Sequence, residues 1–131
     1  MSTRTEVLRQ FYAALNRNDV ESAIRDFDPD IFRNEFEGTP MAGTFRGIAE
    51  LKQNFTNGRA TWAEGTCDPE EFLESGDKVV VYVHVHVRQH GATDWIDARI
   101  ADGFAFRGDT ILEFHSFLER AQSLKWAGLE G

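Results

Sequence analysis

The chain has 131 residues, 41% of them hydrophobic, with eleven Phe and three Trp. That is enough for a single core in a single domain, and it argues against disorder. A formal charge of −8 speaks against a phosphate-binding surface, so nucleic acid and anionic membranes are not expected partners, and the single cysteine, Cys67, rules out an internal disulfide and fits a reducing cytoplasm.

Met1 to Glu6 is polar and charged, so no signal peptide is expected. No apolar run approaches the ~20 residues of a membrane span. Thr3-Arg4-Thr5-Glu6 reads as a capping box, and Val7, Leu8, Phe11, Ala14 and Leu15 then recur at helical spacing on one apolar face. Asn18 or Asp19 caps a second short helix through Phe27, with Ala23, Ile24 and Phe27 as its buried side, and Asp28-Pro29-Asp30 stops it. Ile31 to Phe36 reads as a short strand and Glu37 to Gly47 as a loop. Ile48, Leu51 and Phe55 mark a third helix that ends near Asn57-Gly58.

From Arg59 onward strands dominate. An irregular one covers Thr61 to Phe72, interrupted at Pro69, and Ser75-Gly76-Asp77-Lys78 is a hairpin turn. Val79 to Arg88 carries valines at every odd position, with Val80, Tyr82, His84, His86 and Arg88 opposite. Trp95 to Phe106 returns, Arg107-Gly108-Asp109 turns, and Ile111 to Leu118 is the last strand before a short helix or tail over Glu119 to Leu129. Helices first and an antiparallel meander after them predict one α+β domain over residues 1–131, with helices on one face of the sheet.

The strand from Ile96 to Phe106 holds the most informative position. One face is Ile96, Ala98, Ile100, Asp102, Phe104 and Phe106, apolar except for a single carboxylate. Burying an ionised carboxylate is costly. Asp102 is therefore either a carboxyl kept neutral in an apolar site, or an aspartate at a wet edge, solvated or paired with an arginine.

Phe11 to Asp19, Phe27-Asp28-Pro29-Asp30, Gly43-Thr44-Phe45-Arg46-Gly47, Gly76 to Val81 and Phe117-Leu118-Glu119-Arg120 with Ala127-Gly128-Leu129 resemble the SnoaL-like group. That group belongs to the nuclear-transport-factor-2-like superfamily, with ketosteroid isomerases and polyketide cyclases among its members. The resemblance implies a cone: a curved sheet wrapped around helices, with a deep apolar pocket open at one end, and it implies homodimers. Asp102-Gly103-Phe104-Ala105-Phe106 is similar to the isomerase strand whose protonated aspartic acid donates to the developing enolate, a site in which apolar surroundings keep the acid neutral. By the same resemblance Glu35 falls where those enzymes place their general base; the other reading makes it a surface charge. Where they carry a helix-1 tyrosine, this chain has Phe11. Tyr12 is about 100° further round the helix and is not expected to substitute. The cyclase branch fits less well, because the last-strand aspartate position is Ser116, and the epoxide hydrolase branch fits worst, with His84-Val85-His86 where it needs Arg-x-Asp.

The expected catalytic pair is thus Asp102 and Glu35. The expected pocket lining is Phe11, Phe32, Phe55, Trp62, Phe104, Phe106, Phe114 and Ser116. His84, His86 and His115 offer three imidazoles for zinc, but their spacing is that of any outward-facing strand positions, and a solvated or dimer-facing surface is expected instead. No metal or organic cofactor is expected. The functional expectation is an isomerase- or cyclase-type enzyme acting on a small apolar carbonyl compound. The alternative is a non-catalytic dimeric module binding a hydrophobic ligand or a partner protein.

Overall fold

The computed structural model describes residues 3–35 and 43–129. Helix α1 (Thr3–Asn16) is followed by α2 (Val20–Ala23), β1 (Phe27–Glu35), β2 (Gly43–Arg46) and α3 (Ile48–Ala60). Four long strands then run β3 (Trp62–Ser75), β4 (Lys78–Gln89), β5 (Ile96–Arg107) and β6 (Thr110–Phe117), and α4 (Arg120–Ala127) closes the chain. The six strands form one sheet in the order β2-β1-β6-β5-β4-β3. All neighbours are antiparallel except β1 and β6.

The sheet curls because its strands carry bulges. Register shifts fall at Phe27/Phe32 in β1, at Trp62/Glu64 and Pro69/Glu71 in β3, and opposite Ala105/Phe106 in β6, where Leu112 is the extra residue. Each extra residue bends its strand and sharpens the local twist. The concave face wraps α1 and α3. Leu8, Phe11, Ile31, Leu51, Val79, Val81, Val83, Phe104 and Ile111 form the core between them. On the convex face, α4 lies across Val80 and Ala101. Gly103 makes that possible: a Cβ there would stand 2.5 Å from Trp126 Cζ3. Gly128, in the left-handed region, ends α4.

The α+β expectation holds, with three local corrections. The helix expected through Phe27 is the single turn α2, and β1 starts at Phe27 with Asp28-Pro29-Asp30 inside it. Proline is tolerated there because the β1–β6 register slips between Phe27 and Phe32, so its missing N–H breaks no regular ladder. Gly43–Arg46, expected as loop, pairs with β1 as the sheet's edge strand. The expected interruption at Pro69 is a bulge in one continuous β3. Phe36 and Glu37 to Ala42 lie outside the described residues. No helix among the described residues is long and apolar enough to cross a membrane.

Candidate active site

The concave face and the helices enclose a cavity of about 540 Å³. Strand alternation decides what faces it. Val83, Val85 and Val87 of β4, Ile96, Ala98, Ile100 and Asp102 of β5, and Phe114 and Ser116 of β6 all point inward. Phe11, Tyr12 and Leu15 of α1 and Asn54 and Phe55 of α3 close the other side, and Trp62 lies on the wall beside Gln89. Exposure rises along β5 from buried Asp102 to half-exposed Ile96, so Asp102 sits deep and Ile96 near the mouth.

Asp102 is 4% exposed. Tyr12 donates its hydroxyl to Asp102 Oδ2 at 2.5 Å, and Ser116 donates to Oδ1 at 2.8 Å. Burial raises the Asp102 pKa above the usual carboxylate range. The hydrogen bond from Tyr12, the Arg33 charge and the Ser116 hydroxyl work in the opposite direction without cancelling it. Tyr12 is pushed well above its ordinary value, by burial first and by the Asp102 charge second. Both shifts favour protonated groups in this corner of the cavity.

A stability prediction follows from the sign of the Asp102 shift. The folded state holds the proton to higher pH than the unfolded chain, so folding takes up a proton once pH exceeds the unfolded value near ~3.9. This carboxyl's contribution is therefore fully present below that value and is lost as pH rises through the raised folded pKa. Asp102→Asn has nothing to ionise. Urea unfolding from pH 4 to 8 should show wild-type stability declining relative to the variant; a flat or rising difference would mean that burial does not dominate.

The second polar cluster is on β1. Arg33 is 4% exposed and its Nη2 donates to Glu35 Oε2 at 2.6 Å. Its Nη1 donates to the carbonyls of Asn34 and Phe114, and its guanidinium lies 3.9 Å from the Phe114 ring centroid. Strand β6 lies between β1 and β5, so Glu35 and Asp102 sit on strands roughly 10 Å apart. Cys67 also lines the cavity, but burial and the neighbouring Asp102 push its thiol up to about 12, so it is no thiolate nucleophile at neutral pH.

Of the expected lining residues, Phe11, Phe55, Trp62, Phe114 and Ser116 face the cavity, as do Asp102 and Glu35. Three do not. Phe104 is fully buried behind Phe114, stacked on it at 4.5 Å, and Phe106 lies in the core beneath Arg4, where the narrowing cone is filled by rings. Phe32 points to the convex face, against His115 and Arg46, because β1 turns Ile31, Arg33 and Glu35 inward. Tyr12, which helical geometry sets about 100° round α1 from the isomerase tyrosine position, lines the cavity and bonds Asp102. Alpha1 is wrapped by the curved sheet, so Leu8, Phe11 and Tyr12 are all buried, and Tyr12 follows Leu8 by four residues on one face. The histidines are on the convex side: His84 bonds Asp97, His86 stacks on Trp95, and His115 bonds Glu113. Among the described residues no group of three or more His, Cys, Asp or Glu is placed to hold a metal ion.

A curved, unclosed sheet over helices with a one-ended cavity defines the nuclear-transport-factor-2-like class. Within it the chain belongs to the SnoaL-like domain family, whose model matches residues 8–114. No curated protein matches the sequence. Among solved structures it is similar to a nuclear-transport-factor-2-like protein of unknown function from Burkholderia pseudomallei, at 22% identity and TM-score 0.81, covering 97% of this chain and 98% of that one. It is similar to TerC co-crystallised with polyporic acid, at 21% identity and TM-score 0.80, over 97% and 99% of the two chains. AclR, a putative hydroxylase from Streptomyces galilaeus, matches at 16% identity and TM-score 0.74, over 98% and 97%.

Proposed function

We propose that the protein is a small-molecule enzyme of the isomerase or cyclase type, acting on an apolar carbonyl compound by carboxyl acid–base chemistry. The observation that carries this reading is Asp102, buried in the cavity wall with Tyr12 and Ser116 on its two oxygens. The SnoaL-like family and the likeness to TerC and AclR support a polyketide-type or quinone-type substrate.

The chemistry turns on where one proton sits. When Asp102 is ionised, both hydroxyls donate to it. When Asp102 is protonated, it donates to Tyr12 Oη, and the Tyr12 hydrogen is released toward the cavity. Tyr12 is then a donor polarised from behind, aimed where a carbonyl oxygen gains charge as an enolate forms. Glu35, held by Arg33, takes the proton from the carbon next to that carbonyl and returns it one or more carbons away. The proton count balances and no redox step is needed.

The test uses 2-naphthol as a neutral stand-in for the enolate. Asp102→Asn keeps a polar partner for Tyr12 and should keep 2-naphthol binding. Asp102→Ala should weaken it about tenfold or more, the worth of a hydrogen bond in a dry site. Equal binding by the two variants would remove Asp102 from the mechanism.

A further inference from the structure

Asn54 is a polar side chain on the cavity wall that the acid–base chemistry leaves unused. It lies on α3, is 4% exposed, lines the cavity, and has no hydrogen-bond partner among the described residues. Buried amides are almost always bonded. One that opens onto a cavity without a protein partner has the place of a ligand contact.

A second observation gives the sign of that ligand. Arg59 also lines the cavity, with its Nε and Nη2 donating to the carbonyls of Leu15 and Asn16 at 3.0 and 3.1 Å and its guanidinium 4.6 Å from the Trp62 ring centroid. Those partners are neutral, and no carboxylate pairs with Arg59 among the described residues. Arg33 is matched by Glu35, yet its buried Nε also has no partner among the described residues. Arg59 therefore brings to the lining a guanidinium with no carboxylate beside it among the described residues, in a chain of formal charge −8.

We propose that the cavity selects an aromatic ligand carrying an anionic oxygen, a carboxylate or phenolate, bonded by the Asn54 amide and held in the field of Arg59. The inference rests on the reading above, that a small carbonyl compound occupies this cavity, and adds a second, acidic oxygen at the α3 wall. The −8 surface repels such a ligand, so discrimination comes from inside the cavity. Trp62 and Phe55 give its ring flat apolar neighbours.

Two probes of nearly equal shape test this: 2-naphthoate, anionic at pH 7, and neutral 2-acetylnaphthalene, each titrated calorimetrically into the full chain. Naphthoate should bind about tenfold tighter or better, the worth of one hydrogen bond to a charged group. Asn54→Leu should remove most of that preference, weakening naphthoate clearly more than the ketone. Arg59→Met should weaken naphthoate while Arg59→Lys retains it. Asn54→Asp, which keeps the size of the amide but adds a negative charge, should weaken naphthoate further and serves if the leucine variant does not fold. Equal affinity for the two probes, an Asn54 effect on both alike, or no binding of either probe to folded protein overturns the proposal. Asp102→Ala separates it from the catalytic reading: naphthoate selectivity that persists when the Asp102 variants bind 2-naphthol equally leaves the anion site standing and removes the acid–base role.

Discussion

Gly65→Ala is expected to destabilise the fold by about 4 kcal/mol or more, the range reached only when a substitution meets a rigid obstacle. Gly65 has φ +115°, a region that side chains rarely adopt. A Cβ there would stand 2.2 Å from the His86 carbonyl oxygen and 2.5 Å from Val87 Cα. Both atoms are backbone of the paired strand, so no side-chain rotation relieves the contact. Gly76 supplies the control. It has φ +58° at the β3–β4 turn, and nothing lies within 4 Å of an added Cβ. Gly76→Ala carries only the left-handed backbone penalty of about 1–2 kcal/mol. Chemical denaturation of both variants separates close approach from backbone conformation; equal losses would mean that β3 and β4 move apart at little cost. Because Trp62 and Cys67 flank Gly65 on β3 and line the cavity, the first variant should also alter ligand binding at temperatures where it is still folded.

Period-two alternation made most of the sheet legible. Valines at 79, 81, 83, 85 and 87 and the apolar face of Ile96 to Phe106 turn inward as the pattern requires. Asp102 stood out for the same reason, as a single carboxylate on an apolar face. The misses have physical causes. Phe32 and Glu35 are three residues apart on one strand, so they cannot both face inward. Alternation excludes that pairing without saying which set turns inward, and in the fold it is Ile31, Arg33 and Glu35. Tyr12 lies outside the apolar face formed by Val7, Leu8, Phe11, Ala14 and Leu15 that the helical spacing marks. A helix cradled by a curved sheet buries a wider arc, and the i, i+4 step from Leu8 to Tyr12 was the available signal. Whether an inward aromatic lines the cavity or fills the tip of the cone depends on the taper, which pairing of distant strands sets. That put Phe114 on the wall and Phe104 behind it. Edge strand β2 exists only through its partner β1, so nothing in its four residues announces it.

Arg33→Met is expected to lower stability by about 3 kcal/mol, the lower end of the range for breaking a buried ion pair from one side. Arg33 is buried beside a less sheltered Glu35, and the change removes their ion pair at 2.6 Å. It also removes the guanidinium from the face of Phe114. Methionine matches the length and apolar stem of arginine, so the loss reports on charge and hydrogen bonding more than on volume. Arg33→Met with Glu35→Gln should recover at least about half of the loss, because the double variant also removes the negative charge that the guanidinium faced. A double variant no more stable than Arg33→Met alone would show that Arg33 acts through Phe114 and the strand carbonyls, and that Glu35 does not depend on it. The same pair separates two roles in the site. Arg33 also weighs on Asp102, where its charge opposes the rise caused by burial. Removing it should therefore raise the Asp102 pKa further and move the pH-dependent loss of stability to higher pH, whereas Glu35→Gln alone should not. A shift of that window in Arg33→Met, absent in Glu35→Gln, would show that the buried Arg33 charge reaches Asp102 from β1 and that the Glu35 carboxylate does not set its proton affinity.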